Sequence, residues 1–478
     1  MTTPSPALGD QPPDEAAANR RSTELWMMLF ACGIVLFAFL NVVGSLKDQH
    51  LSTIFEYMVA FLVIVLGAHL AIRFWAPYAD PLLLPIATVL NGLGIVMIYR
   101  LNQVGRDGNP GNNGPISTLS HSATTTQIIY SVIGVIALVL FLKFIPDIKQ
   151  LQGYTYILGL AGVILIGLPA VLPTSISGVA GTSAKIQISI GGFSFQPEEF
   201  GKLLLAASFA SYLVINGKKL SLLTEKWWIF TLPRRRDLAP ILTVWALSML
   251  LLVFEGDIGT SAVFMGLFVA MLYVSTGRRY WAVLGFLMFL AGAVLAGTLV
   301  THVNQRFVAW LHPFSPANLQ NYSYQTVQGL YGMGNGGLLG KGLGGGQPFW
   351  TPLVQSDLIF TAFGEELGLA GVMALLLLYG LFVQRGLRTA MLVKDDYSKL
   401  LATGLAFMFT LQVFVIVGGV TRLLPLTGIT TPFLSQGGSS LIASWLLVGI
   451  FARISDGARR PAPKPIQDEG MTQVVSLR

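Results

Sequence analysis

The chain has 478 residues, of which 53% are hydrophobic and only 11% are charged, and its mean hydropathy is +0.66. A soluble domain carries roughly 25% charged residues, so this composition excludes a large water-facing surface and favours solvation by lipid. The single cysteine, Cys32, excludes an internal disulfide and a cysteine-based metal cluster. The formal net charge of +7 does not indicate nucleic-acid binding, because basic loops beside anionic inner-leaflet lipid give the same excess.

Polar tails flank a series of long apolar runs. Residues 1–22 and 458–478 are polar and Pro-containing, and we predict that both are disordered cytoplasmic tails. A bilayer core of roughly 30 Å needs about 20 apolar residues per helix. Such runs occur near 25–45, 55–75, 82–101, 127–145, 153–172, 200–216, 239–254, 259–276, 280–300, 358–384, 400–420 and 437–456. The sequence therefore predicts an all-α polytopic membrane protein with about twelve transmembrane helices.

The distribution of basic residues predicts the orientation of these helices. Cytoplasmic loops carry an excess of Lys and Arg. With the N-terminus inside and twelve alternating helices, 22 of the 30 Lys and Arg residues fall on the inner side. Both termini are then cytoplasmic, and the two longest loops, 173–199 and 301–357, lie outside. Long loops are usually functional, so we expect an extracytoplasmic site, with the large loop between helices 9 and 10 as its main part.

The loop 301–357 contains the densest set of candidate binding residues: Arg306, Gln325, Gln328 and, within a glycine tract, Lys341. Ten of the 18 residues from 329 to 346 are glycine, which favours close approach of backbone amides to an anionic phosphate. No strand precedes this tract and no Ser or Thr follows Gly340-Lys341, so neither the dinucleotide nor the Walker pattern is met. A flexible surface or re-entrant loop is the alternative interpretation.

Asp357 lies where this loop meets the tenth predicted helix. Its carboxylate is either a cap for the N-terminal amides of that helix or a general base at the membrane surface, where desolvation raises proton affinity. Glu365 and Glu366 follow about two turns later, at a depth where acids are costly and usually functional or paired.

Three further clusters fall on the predicted outer side. Glu199 and Lys202 are spaced i, i+3, which fits either a structural ion pair or a catalytic role. In the turn between the seventh and eighth predicted helices, Asp257 or Thr260 is an N-cap, or Asp257 has a functional role in the site. Segment 425–440, with Ser439 and Ser440, combines Pro, Gly and hydroxyl residues at membrane depth. Such broken helix is tolerated where protein or a cavity covers it, and a lipid head group fits such a cavity.

Five motifs, in this order, resemble those of the SEDS family (shape, elongation, division and sporulation). They are Gln196-Pro-Glu-Glu199 with Lys202, Gly256-Asp-Ile-Gly-Thr260, the tract from Tyr324 to Gly342, Ser356-Asp-Leu-Ile-Phe360 with Glu365-Glu366, and Pro425 to Ser440. The similarity covers roughly residues 82–456. Family members typically have ten helices, so the resemblance implies a family core at 81–457 and an N-terminal two-helix extension at 23–80. We expect the extension to serve partner contact or insertion.

The chain departs from the family pattern at several positions. Glu198, Gly256, Ser356 and Gln436 stand where Ser, Pro, Thr and Tyr are usual. An arginine common before the second family helix is absent; Gln127 lies near its place, and Arg100 is the nearest basic residue. The aspartate that the family requires is present as Asp357.

The resemblance implies a peptidoglycan glycosyltransferase that polymerises lipid II into glycan strands on the outer face of a bacterial cytoplasmic membrane. Asp357 would accept the proton of the attacking sugar hydroxyl, and undecaprenyl diphosphate would leave with inversion. Lys202, Arg306, glycine-loop amides or a divalent cation (Mg²⁺ or Mn²⁺) would stabilise the leaving charge. A class B penicillin-binding protein is the implied partner, and the elongation branch, RodA, is favoured over the division branch, FtsW.

Two other functional classes fit part of the pattern. A lipid II flippase would also use charged residues within helices, but the acids and glycines here concentrate in outer loops and not at the bilayer midplane, where transporter sites usually lie. An inactive scaffold would fit the substitutions at motif positions, but it leaves the intact Asp357 motif unexplained.

Overall fold

A computed structural model describes residues 13–45, 51–103, 123–173, 177, 187–190, 193–221, 225–227, 230–232, 235–255, 257–299, 301–319, 321 and 323–461. Most of the two predicted tails, residues 1–12 and 462–478, lies outside these ranges, as does Gly256 of the second motif.

The described residues are mostly α-helical. The helices are α1 (Pro13–Ser45), α2 (Leu51–Trp75), α3 (Leu83–Asn102), α4 (Ala123–Phe144), α5 (Thr155–Val171), α6 (Glu198–Ser221), α7 (Arg235–Glu255), α8 (Ile258–Thr276), α9 (Tyr280–Leu299), α10 (Thr301–Leu311), α11 (Pro316–Leu319), α12 (Tyr324–Gly336), α13 (Ile359–Leu392), α14 (Asp396–Val420) and α15 (Gly438–Arg459). Short 3₁₀ segments cover Ile148–Tyr154 and Pro348–Trp350. Two antiparallel hairpins pair β1 (Ile188–Ile190) with β2 (Phe193–Phe195) and β3 (Glu225–Trp227) with β4 (Phe230–Leu232).

The all-α membrane fold is confirmed. Each of the twelve predicted spans overlaps one of these helices, and ten helical segments within the described residues are long and apolar enough to cross a membrane. Helix α7 is not among the ten, and α9 contributes only a shorter apolar segment, Tyr280–Val294. The exact number of twelve therefore stays a prediction.

The first helix begins earlier than the sequence suggested. It starts at Pro13, inside the segment assigned to a disordered tail, with proline at a helix start, where its missing N–H costs nothing. Arg21 is buried and donates to the Glu24 carboxylate and to the Ala79 carbonyl. Glu24 also contacts His69 Nδ1 at 2.8 Å. These contacts fix the start of α1 against the rest of the bundle, so the ordered part extends into the predicted tail.

Helix α3 forms the centre of the bundle, because every residue from Leu83 to Asn102 is buried. Small residues let neighbours approach it closely: a Cβ added at Gly92 would lie 2.3 Å from Val35 Cγ2 on α1. The rings of Phe39 and Tyr99 have centroids 5.5 Å apart. This packing carries Arg100, in the last turn of α3, to one end of the bundle.

Loops that the charge count assigned to opposite sides lie at opposite ends. At one end, the Tyr78 amide donates to Asp456 Oδ1 and the Asp80 amide donates to Ser455 Oγ. At the other end, the Gln196 amide donates to Ser439 Oγ, and the glycine tract meets Glu366. These four loops therefore lie at the ends expected of them, while the assignment of one end to the outside stays a prediction.

Candidate active site

Asp357 is buried just before α13, with 7% of its surface exposed. Its Oδ1 accepts a hydrogen bond from Ser356 Oγ at 2.9 Å. Burial raises the pKa of Asp357 above its usual range, and the Ser356 hydroxyl and the Arg306 charge oppose that rise without cancelling it. The N-cap position of α13 is held by Leu358, and the Asp357 carboxylate, one residue earlier, accepts hydrogen bonds from the backbone at Asp357 and Leu358. The choice between a cap and a general base therefore stays a prediction.

Arg306, on α10, supplies positive charge beside two carboxylates. Its Nη1 donates to the Thr427 carbonyl at 2.8 Å. Burial lowers the pKa of Arg306, while the charges of Asp257 and Asp357 both raise it. Since Arg306 interacts electrostatically with both Asp257 and Asp357, acids from two separate motifs face the same cation.

Asp257 has the N-cap geometry that its sequence position allowed. Its Oδ1 accepts from the Thr260 amide at 2.8 Å and its Oδ2 accepts from Thr260 Oγ1 at 2.9 Å. A Cβ added at Gly259 would lie 2.7 Å from Thr427 Cβ. The turn that Asp257 caps is thus packed against Thr427, whose carbonyl accepts the hydrogen bond from Arg306.

The segment before α15 is packed against Asp357 by backbone and hydroxyl contacts. Ser435 Oγ donates to the Ser356 carbonyl and accepts from the Thr431 amide. The Gln436 amide donates to the Gln355 carbonyl at 2.8 Å. Most of this segment of broken helix is covered by protein, as its prolines and glycines required, and it fixes the backbone just before the catalytic candidate.

Glu366 forms a closed ion pair with Arg100. Arg100 Nε donates to Glu366 Oε1 at 3.1 Å, and both side chains are buried. Arg100 Nη2 also donates to the carbonyls of Gly344 and Gly346 at 3.1 and 3.0 Å. The Gly344 amide donates to Glu366 Oε2 at 2.9 Å. The pair therefore fastens the glycine tract to α13.

The glycine tract is ordered, which corrects both expectations for it. Its first part is helix α12, where a Cβ added at Gly336 would lie 2.1 Å from the Gly364 carbonyl. The Lys341 and Gly342 amides donate to main-chain carbonyls of Glu365 and Glu366. These glycines allow two backbones to pack closely, and the amides of Lys341, Gly342 and Gly344 are engaged with α13.

Glu199 and Lys202 form the ion pair that their spacing allowed. Lys202 Nζ lies 2.9 Å from Glu199 Oε1, and Lys202 is only 1% exposed. Its positive charge is matched inside the protein, so we no longer expect it to meet a diphosphate. The turn before α6 is joined to the last helix through Ser439 Oγ, which accepts from the Gln196 amide at 2.7 Å.

The remaining candidates occupy less defined positions. Gln325 Nε2 reaches the Pro352 carbonyl at 3.5 Å, the limit of a hydrogen bond. Gln328 is half-buried and Lys341 is exposed. Ser440 is buried, with its carbonyl accepting from Ser444 Oγ. None of these four geometries assigns a chemical role.

The carboxylates near Asp357 do not converge as metal ligands would. Within the described ranges, no group of three or more His, Cys, Asp and Glu side chains is placed to hold a metal ion. Both Asp257 oxygens are taken by Thr260, and Arg306 provides positive charge beside Asp257 and Asp357. Arg306 is thus the positive charge that the described residues place beside Asp257 and Asp357, and a divalent cation at this site stays a prediction.

Sequence reasoning missed three residues that build the site. Arg100 was noted only as the nearest basic residue, yet it pairs with Glu366. Gln127 is fully buried and its Nε2 donates to the Ser435 carbonyl at 3.1 Å. Ser435 joins Gln127 to the Asp357 turn. The sequence signal available for Arg100 was a charged residue at the end of a long apolar run, where such residues are usually paired or functional.

Comparisons with known proteins agree on one family. The FtsW/RodA/SpoVE family model, described as "Cell cycle protein", matches residues 80–460. The chain is 45% identical to the peptidoglycan glycosyltransferase RodA of Mycobacterium tuberculosis (strain ATCC 25618 / H37Rv), over 93% of this chain and 92% of that protein. It is 31% identical to the stage V sporulation protein E of Bacillus subtilis (strain 168), over 80% of this chain and 98% of that protein.

Solved structures show the same fold. The crystal structure of the Thermus thermophilus rod shape determining protein RodA matches with a TM-score of 0.55 and 22% identity, over 80% of this chain and 98% of that one. One chain of a solved peptidoglycan synthase complex, described as coordinating polymerization and crosslinking, matches with a TM-score of 0.61 and 23% identity. The match covers 80% of this chain and 99% of that one. The chain belongs to the FtsW/RodA/SpoVE family, the SEDS family that its motifs resemble.

Proposed function

We propose that this protein is a peptidoglycan glycosyltransferase of the RodA type, which polymerises lipid II into glycan strands at the outer face of the cytoplasmic membrane. The relatives that share 42–45% of its sequence over 93% of its length carry that activity in their names. The observation that carries the catalytic part is the buried Asp357 carboxylate, with its raised pKa, beside the Arg306 charge.

Asp357 acts as the general base. A lipid II molecule presents the 4-hydroxyl of its GlcNAc, and Asp357 takes the hydroxyl proton as the oxygen attacks the anomeric carbon of the growing strand's MurNAc. A new glycosidic C–O bond forms, and the bond from the anomeric carbon to the diphosphate breaks. The electron pair leaves with undecaprenyl diphosphate, and the anomeric centre inverts. A base works best when its pKa is raised toward the working pH, which burial of Asp357 provides.

Arg306 stabilises the negative charge of the leaving diphosphate. The sequence also suggested Lys202 and the glycine-loop amides for stabilising this charge. The charge of Lys202 is neutralised by Glu199, and the amides of Lys341, Gly342 and Gly344 already donate to α13. Arg306 is half-buried and anchored through one nitrogen to the Thr427 carbonyl. A fixed cation at a developing anion lowers the barrier because it needs no reorganisation. We derive no step through a divalent cation.

The cellular setting is part of the proposal. The chain is a multi-pass membrane protein, and the 22-to-8 distribution of basic residues puts both termini inside and Asp357 outside. A class B penicillin-binding protein, which cross-links strands, is the proposed partner, and a related structure comes from a complex that coordinates polymerization and crosslinking. The 45% identity to a RodA, against 30% to an FtsW, favours elongation over division.

The test uses purified full-length protein and fluorescent lipid II in proteoliposomes. Polymer ladders on a gel support the glycosyltransferase. Transport of lipid II across the bilayer without polymer would instead show a flippase. If neither polymer nor transport is seen, with or without the partner, the protein is a scaffold.

A further inference from the structure

We propose that the N-terminal two-helix extension belongs to the catalytic unit, because the C-terminal end of α1 braces Gly344 and thereby the Glu366–Arg100 pair. This inference rests on the proposed function, since the braced tract packs on the helix that Asp357 precedes. It replaces our expectation that the extension serves only partner contact or insertion.

The contact lies where the last turn of α1 meets the glycine tract. A Cβ added at Gly344 would lie 1.7 Å from Ser45 Oγ, 2.8 Å from Ser45 Cβ and 3.4 Å from the Val42 carbonyl. Ser45 Oγ itself donates to the Val42 carbonyl at 2.7 Å, so the hydroxyl is fixed by its own helix. The two backbones are as close as glycine permits.

Gly344 is the residue through which the ion pair holds the tract. Its amide donates to Glu366 Oε2 and its carbonyl accepts from Arg100 Nη2. Its φ of +85° is a conformation that favours glycine. A displacement of this peptide would therefore break two hydrogen bonds to a buried charge pair at once.

Helix α1 is rigid enough to act as a brace. Its 33 residues span about 50 Å, enough to cross the bilayer from end to end. The far end is fixed by Arg21, which donates to the Ala79 carbonyl. The middle is fixed on α3, where Val35 packs on Gly92 and Phe39 packs on Tyr99. The same α3 carries Arg100, so α1 and the ion pair share one support.

The tract in turn supports the start of α13. A Cβ added at Gly329 would lie 2.8 Å from Thr361 Cγ2, and Gly336 lies against the Gly364 carbonyl. The Leu369 amide donates to the Gly337 carbonyl at 3.0 Å, next to the break in α13 at Gly368. The brace thus reaches the first turns after Asp357 through continuous packing.

The distribution of the extension among relatives fits this role. The alignment to the Mycobacterium tuberculosis RodA covers 444 residues, more than lie between Asp80 and the C-terminus, so it extends into the first two helices. The alignment to the Bacillus subtilis protein covers only 382 residues, close to the extent of the family match. The extension is therefore matched in the first of these relatives and not in the second.

The test is a double-mutant cycle between the extension and the tract. Gly344→Ala places a methyl against Ser45 and should lower the polymerisation rate at saturating lipid II by about tenfold or more. Ser45→Gly alone removes the bracing atoms and should lower the rate by about threefold. In the double variant, the two nearest atoms are removed and only the Val42 carbonyl remains, at 3.4 Å. We expect its rate to recover by about fivefold over Gly344→Ala.

Gly44→Ala is the matched control, because a Cβ at Gly44 meets nothing within 4 Å. It should neither change the wild-type rate nor rescue Gly344→Ala. Equal rates for Gly344→Ala with and without Ser45→Gly would show that the loss comes from backbone strain alone and would overturn the proposal.

Melting temperatures of the same variants provide a second readout. Coupling in melting temperature without coupling in rate would make the contact structural only and would also overturn the positioning role. A wild type without polymerase activity would refute the proposed function itself, and this is seen before any variant is compared.

Discussion

Arginine and carboxylate meet twice at the proposed outer end of the bundle, and the two encounters differ in geometry. Arg100 and Glu366 are in direct contact, at 3.1 Å, and three further hydrogen bonds join the pair to Gly344 and Gly346 of the glycine tract. Arg306 interacts with Asp357 through its charge alone, since within the described ranges it makes no ion pair inside 4.0 Å and donates instead to Thr427.

The difference separates a structural pair from a chemical one. A closed, buried pair has its charges satisfied, so it specifies how the chain packs. A buried carboxylate held near a cation, but not bonded to it, retains the proton affinity that desolvation confers. We therefore expect substitutions at the Asp357–Arg306 pair to change the rate without changing stability, and substitutions at the Glu366–Arg100 pair to change stability as well as rate.

Asp357→Asn should produce the largest effect. The amide nearly keeps the size of the carboxylate but accepts no proton, and loss of a general base costs about 10²–10⁴ in rate. Polymerisation of lipid II at matched, monodisperse concentrations measures it, with unchanged melting temperature. Asp396→Asn, an exposed substitution of the same kind, is the control and should be neutral. Near-normal turnover of Asp357→Asn would move the catalytic assignment to Asp257 or Glu199.

Arg306→Gln should lower the rate by about 10²–10³, because it removes the cation beside the leaving diphosphate. The control is Arg422→Gln. Arg422 also fastens the end of α10, through a bond from its Nε to the Trp310 carbonyl at 2.9 Å. If both variants lose the same activity, Arg306 acts by holding α10 and not by its charge.

Glu366→Gln should lower stability, and the polymerisation rate should fall with it because the pair holds the glycine tract. Breaking a buried pair by neutralising one partner costs about 3–5 kcal/mol, because Arg100 stays buried without its counter-charge. Thermal unfolding in detergent measures the loss. Lys341→Gln, an exposed change in the same tract, should shift stability by less than about 0.5 kcal/mol. A Glu366→Gln protein that melts like wild type would show that the pair does not hold the tract.

Substitutions at Asp257 should show the smallest effect. Two of them distinguish its role as a helix cap from its role as a charge near Arg306. Asp257→Ala removes the capping bonds to Thr260 and should destabilise the protein by about 1 kcal/mol. Asp257→Asn keeps a good cap and removes only the charge near Arg306, so its melting temperature should match wild type. Equal destabilisation by both variants would mean that the charge, and not the cap, supports α8.

Much of the fold could be predicted from the sequence, because lipid imposes a direct rule on apolar run length. The local pairs could be predicted as well: Glu199 with Lys202, and Asp257 with Thr260, are three residues apart and interact wherever a helix forms. The start of α1 was misplaced, because the partner of Arg21 at Ala79 is 58 residues away.

The architecture of the site depends on long-range packing that spacing does not encode. Arg100 and Glu366 are 266 residues apart, and Arg306 is 121 residues from Thr427. The glycine tract illustrates the same limit. Its composition predicted that backbone would approach something closely, and the structure shows that the neighbours are α13 and the end of α1, at Gly364 and Ser45.

The most direct test of Asp357 as the base is the pH dependence of the polymerisation rate. A base must be deprotonated, so the wild-type rate should fall as the pH drops through the pKa of Asp357. Because burial raises that pKa, the fall should begin at a higher pH than an exposed aspartic acid would give. We expect the residual rate of Asp357→Asn to lack this fall. The same fall in the variant would contradict the account, because another group would then be accepting the proton.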